Sequence, residues 1–124
     1  MNPSRANEPR QADNIIPPGG TEQYYNEVSA LLPDVHDFYR YFEVPGLGHC
    51  FGGASGQPTD MFRQLQAWVE NGTAPDQTPI QIRDATGEAH DRILCPYPQR
   101  PKFSDSCGDP SAAECWHCDE TRST

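Results

Sequence analysis

Prolines and glycines cut this chain into short pieces. There are 13 prolines and 10 glycines among 124 residues, and they punctuate every periodic stretch. A chain so interrupted builds a lean core with many turns. Residues 1–11, MNPSRANEPRQ, carry no periodicity and almost no apolar side chains, and they read as disordered. The turn-rich NIIPPGG follows. Residues 21–32 then place Tyr24, Tyr25, Val28, Leu31 and Leu32 on one face of an amphipathic helix, which Pro33 stops. Residues 37–44, DFYRYFEV, are dense in aromatic and β-branched side chains and predict a buried strand. After the loop PGLGHCFGGASGQP, a second helix is expected over 60–71, with Thr59 or Asp60 as cap and Asn71-Gly72 as stop. Its Met61, Phe62, Leu65, Trp68 and Val69 repeat the pattern of the first helix. Short strands are expected at 80–83 and 93–97, and the segment 98–124 reads as irregular and dependent on disulfides.

Charge and cysteines narrow the function classes. The formal net charge of −9 repels phosphate backbones, which argues against nucleic acid as a partner. No apolar run is long enough to span a membrane. Clustered cysteines and the sequon Asn71-Gly72-Thr73 point to an oxidising, secreted setting, although residues 1–11 offer no signal-peptide h-region. Five cysteines is odd, so one lacks an internal partner when the chain is oxidised. Cys95, Cys107, Cys115 and Cys118, with His117, also include one C-x-x-C, which keeps a small zinc-binding module open as an alternative. Zinc frameworks usually show paired knuckles, and the Pro-rich acidic surroundings favour disulfides.

The chemistry-bearing order is an acid on a loop, helix, strand, histidine on a loop, helix. That is the last third of an α/β-hydrolase in outline, where the triad follows the chain order nucleophile, acid, histidine. Four blocks carry a closer likeness: ADNIIPPGGTEQYY, FYRYFEVPGLGHCFGG, WVENGTAPD and LCPYPQ. Together they resemble the tannase and feruloyl esterase family of fungal secreted esterases. The resemblance implies an α/β fold, of which residues 12–118 are the C-terminal part, with 1–11 an unrelated segment and 119–124 a tail. It implies helix-strand-helix followed by a disulfide-rich irregular tail.

The same resemblance implies a Ser-Asp-His mechanism on aromatic acid esters. Asp13 falls on the family's catalytic Asp and His49 on its catalytic His. Cys50 falls on a cysteine that pairs with one preceding the nucleophile, joining the two catalytic loops. Cys95 falls on a cysteine usually bonded to one near the C-terminus, and Cys118 is the best match for that partner. Cys107–Cys115 is then the remaining pair, with swapped pairings still open. The family's calcium site lies in a lid region that these blocks do not include, so no metal or cofactor is assigned here. The expected partner is a small aromatic ester in the full-length family.

One element of that mechanism has no match. Only Ser4 precedes Asp13, and NPSRA is no nucleophile elbow. Ser55 has Gln57 where G-x-S-x-G requires Gly, and it follows the histidine. The chain therefore reads as a C-terminal piece of such an esterase, inactive alone, partly molten or self-associating. A retained non-catalytic binding role is the third reading. Tyr24 and Tyr25 read as packing residues, and His36 and His90 as surface histidines.

Overall fold

The computed structural model describes residues 15, 18–49, 52, 53 and 55–120. Helix α1 runs Pro18–Leu31, starting earlier than the apolar period suggests. Pro18 supplies the reason. Its missing N–H is one that a first helical turn leaves unpaired anyway, and its fixed φ suits that position. Only part of the expected apolar face is covered. Tyr25 is 3% exposed and Val28 packs beside it, whereas Tyr24, Leu31 and Leu32 face outward.

Tyr25 anchors a cluster of tyrosines. Tyr25, Val35 and Tyr97 are buried together, flanked by Val28, Tyr39 and Tyr41. Tyr25 meets Tyr97 edge-on at 5.7 Å between ring centroids, and Tyr41 lies 5.6 Å from Tyr97. Edge-to-face and offset pairs of this kind contribute about 1 kcal/mol each beyond their burial. The hydroxyls find acceptors: Tyr97 donates to Glu22 at 3.1 Å and Tyr41 to Glu43 at 3.2 Å. Burial and then the Glu43 carboxylate push the Tyr41 phenol well above its ordinary range.

The expected buried strand over 37–44 does not form. Val35–Asp37 is a 3-10 turn, and the following extended segment makes one bridge, Phe42 with Pro96, beside a hydrogen bond from Tyr97 N to Tyr41 O at 2.6 Å. The aromatic density correctly signals packing. A ladder needs successive donors, and Pro96 has no N–H with which to extend one.

Helix α2 runs Met61–Asn71, close to the expected bounds. Asp60 stands at its N-cap without a capping bond, because its carboxylate accepts from Arg63 at 2.7 Å instead. The C-terminus closes on a left-handed residue in the αL motif. Gly72 takes φ 70°, its N–H donates to Trp68 O, and Thr73 N–H donates to Ala67 O. No residue of α2 is buried: Phe62, Leu65 and Val69 are 72%, 54% and 78% exposed.

The C-terminal half is two antiparallel hairpins. Strand β1, Thr78–Arg83, pairs with β2, Ala89–Leu94, in register from Thr78↔Leu94 to Arg83↔Ala89. Thr78 and Ile80 point inward, and the run Ile93 to Tyr97 that ends β2 is buried throughout. The segment expected to be irregular contains the second hairpin. Strand β3, Arg100–Phe103, pairs with β4, Trp116–Asp119. RPKF and WHCD are too short and too polar to announce themselves by alternation. They are held by an aromatic pair, Phe103 against Trp116 at 5.5 Å, with the Arg92 guanidinium 4.8 Å above the indole. Disulfides complete the unit: Cys95–Cys118 ties the end of β2 to β4, and Cys107–Cys115 closes the loop between β3 and β4. Among the described residues no helix is long and apolar enough to cross a membrane.

Candidate active site

His49 is presented by a turn whose shape the local sequence dictates. Val44-Pro45-Gly46-Leu47 forms a β-turn, with Leu47 N–H donating to Val44 O at 3.4 Å. Proline fixes the second position, and Gly46 takes φ 78° at the third, where a side chain would be strained. The chain then doubles back: Leu47 bridges Gly53, and Gly48 N–H donates to Gly52 O at 2.7 Å. Gly53, at φ 95°, passes so close to the Gly46 carbonyl that a Cβ there would overlap it. His49 therefore sits half-buried at the tip of a closed, glycine-built loop.

The loop is fastened to the hairpin half. Ser55 bridges Ile82 on β1, and Gly56 N–H donates to Gln81 O at 2.9 Å. A Cβ on Gly56 would lie 2.7 Å from the same carbonyl, so only glycine allows this approach. Ser55 thus serves as a stitch, its N–H donating to Gly46 O and its hydroxyl to the Gly56 carbonyl. Ahead of the loop, Arg40 makes a second fastening. Its guanidinium donates to Pro75 O and the Asp76 carboxylate, its Nε to His36 O, and it stacks 5.4 Å from the Trp68 ring. Burial and then the adjacent Arg40 charge lower the His36 pKa below its usual value.

A cleft of about 350 Å³ opens beside the root of the loop, lined by residues including Glu43, Pro45, Ser55, Ile80, Tyr97 and Trp116. His49 is not among its lining residues. Asp13 and Cys50 lie outside the described residues. Asn71, the first residue of the sequon, is exposed at the end of α2. Cys95, Cys107, Cys115 and Cys118 are all taken up in disulfides, so the C-x-x-C offers no thiolate to zinc. His117 pairs instead with the Ser104 hydroxyl, at 3.1 Å.

His90 is the residue that sequence reasoning passed over. It lies between the Asp84 carboxylate, at 2.8 Å, and the Ser111 hydroxyl, at 3.0 Å. The Asp84-Ala-Thr-Gly turn was a visible signal for one half of this group. Nothing local marks Ser111, which is 21 residues away.

Comparison with known proteins identifies relatives of the chain. The family described as tannase and feruloyl esterase matches residues 9–118. A mono(2-hydroxyethyl) terephthalate hydrolase from Piscinibacter sakaiensis is 42% identical over 92 residues, covering 69% of this chain and 15% of that protein. A probable feruloyl esterase from Arthroderma benhamiae is 34% identical over 114 residues, covering 86% of this chain and 21% of that protein. The chain thus spans about a fifth or less of these relatives' length. Among solved structures, feruloyl esterase B from Aspergillus oryzae superposes with a TM-score of 0.65 at 26% identity, over 86% of this chain and 25% of that one. Tannin acyl hydrolase from Aspergillus niger shares the fold, with a TM-score of 0.63 at 23% identity over 86% of this chain and 21% of that one. These neighbours are α/β-hydrolase-like enzymes. The match over residues 9–118 makes this chain a member of the tannase and feruloyl esterase family.

Proposed function

We propose that this chain forms the histidine-bearing part of a carboxylic ester hydrolase domain that cleaves esters of aromatic acids. His49 is the general base. It takes the proton from a serine hydroxyl as that oxygen attacks the ester carbonyl, and returns it to the leaving alcohol. Asp13 orients the imidazole and stabilises its protonated form, and Cys50 bonds a cysteine beside the nucleophile. The serine comes from a part of the domain not included in these 124 residues, where no G-x-S-x-G elbow occurs. The substrate class is supported by the relatives, whose names specify a terephthalate monoester and feruloyl esters. The disulfides favour an oxidising, extracellular setting.

The observation that carries this reading is the fastened loop. A catalytic base must be held within a fraction of an ångström, since a displacement near 1 Å costs about 100-fold in rate. The Pro45-Gly46 turn, the Gly48–Gly52 closure and the stitch to β1 restrict the loop that carries His49, which supports this reading. The test is reconstitution. The chain alone is expected to leave methyl ferulate intact. Joined to the serine-bearing part of a family member, it is expected to hydrolyse the ester, with His49→Ala reducing kcat by at least about 100-fold. Equal hydrolysis by the His49→Ala form would overturn the assignment.

A further inference from the structure

Three side chains outside the His49 loop stand in the order that nucleophilic catalysis uses: carboxylate, imidazole, hydroxyl. Asp84 closes the turn between β1 and β2. Its Oδ1 accepts hydrogen bonds from Thr86 N–H at 2.8 Å, Thr86 Oγ1–H at 2.5 Å and Glu88 N–H at 3.0 Å. Its Oδ2 lies 2.8 Å from His90 Nε2, and His90 Nδ1 lies 3.0 Å from Ser111 Oγ. The imidazole is largely covered, with 20% of its side chain exposed, while Ser111 is open to solvent.

The protons follow from these contacts. The hydrogen bonds from Thr86 and His90 hold the Asp84 carboxyl well below the usual carboxylate range, so it is an acceptor only. In neutral His90, the proton therefore sits on Nε2, facing Asp84. Nδ1 is left with a lone pair that accepts from the Ser111 O–H. A base oriented by a carboxylate and bonded to a hydroxyl is the arrangement that activates a serine.

Ser111 is also held in place. Its N–H donates to Asp109 Oδ1 at 2.9 Å, the Trp116 indole N–H donates to Pro110 O at 3.0 Å, and Cys107–Cys115 closes the loop around it. With Glu88, the same Asp84 and His90 also offer three donor atoms to a cation. Yet Asp84 already accepts from four groups, and a cation would have to displace them.

We infer that Ser111 is an activated nucleophile, acylated by small aryl esters with His90 as its base and Asp84 as the orienting carboxylate. In the step, Ser111 Oγ bonds to the ester carbonyl carbon and the bond from that carbon to the aryl oxygen breaks. The serine proton passes through His90 Nδ1 to the departing phenol. Ser111 N–H is committed to Asp109, which slows acylation and deacylation alike. Acylation still proceeds because a phenoxide leaves readily, whereas the serine alkyl ester it forms is hydrolysed slowly.

The experiment uses the whole 124-residue chain with its disulfides intact and p-nitrophenyl acetate as the probe. The acetylated residue is located by peptide mass mapping, and the rate of adduct formation is followed with time. One acetyl group is expected on Ser111. His90→Gln and Asp84→Asn are each expected to slow its formation, the first by about 100-fold. Ser111→Ala should remove it, and urea should abolish the advantage over other serines. Unmodified Ser111, an equal rate in His90→Gln, or an equal rate in urea would each overturn the inference.

Discussion

The two halves of this molecule solve the problem of burial in opposite ways. In the half formed by α1, the histidine loop and α2, apolar side chains are plentiful but poorly covered: α2 buries none of its residues, and α1 buries only Tyr25. The hairpin half has fewer apolar residues, yet it covers more of them, with Tyr25 and Tyr41 of the other half packing on Tyr97. The continuous run Ile93 to Tyr97 is buried, and two disulfides hold the strands that surround it. The difference teaches that an amphipathic period reports a face suited to being covered, whereas a staple and a buried run report a surface already covered. The helical half leaves Phe62, Leu65 and Val69 exposed, an uncovered apolar face among the described residues.

The comparison can be broken at its points of greatest asymmetry. Tyr25 is the pin of the helical half, so Tyr25→Ala is expected to have the largest effect, about 4 kcal/mol, by emptying the tyrosine cluster. Circular dichroism during urea titration should show helix signal lost while the hairpins persist. Loss of both signals together would mean the halves are one cooperative unit. Replacing Cys95 and Cys118 by alanine should cost somewhat less, about 3 kcal/mol, through the loop those cysteines close. That loss should appear first in Trp116 fluorescence. The smallest effect sharpens the contrast. Val69→Gln on the exposed face of α2 should change stability by less than about 0.5 kcal/mol. It should also reduce self-association in sedimentation, because the face it alters is uncovered.

Much of this was readable in the sequence where local rules act alone. Asn71-Gly72 ended α2 because a left-handed residue is needed there, and Gly72 provides it. The start of α1 was hidden because Pro17-Pro18-Gly19-Gly20 looks like a turn, although proline at the first helical position is favourable. DFYRYFEV looked like a strand because aromatic density measures packing and says nothing about the pairing partner. Strands β3 and β4 were hidden for the converse reason: their pairing depends on Phe103, Trp116 and a disulfide, none of which leaves a period. At the candidate site, the turn carrying His49 could be read from Pro45, Gly46 and Gly48. The environment of His90 could not, because its partners lie 6 and 21 residues away and meet only through the hairpin fold.

The Cys95–Cys118 bond also has a mechanical consequence. Tension applied at the two ends of the chain passes across that covalent link and bypasses the loop it closes, 23 residues in sequence separation. Strands β3 and β4, and the loop holding Ser111, are therefore shielded from load. The helices and the histidine turn, joined to the remainder by single bridges and side-chain clamps, lie directly in the line of force. Under pulling, the molecule would pay out its N-terminal half first and stop at the staple.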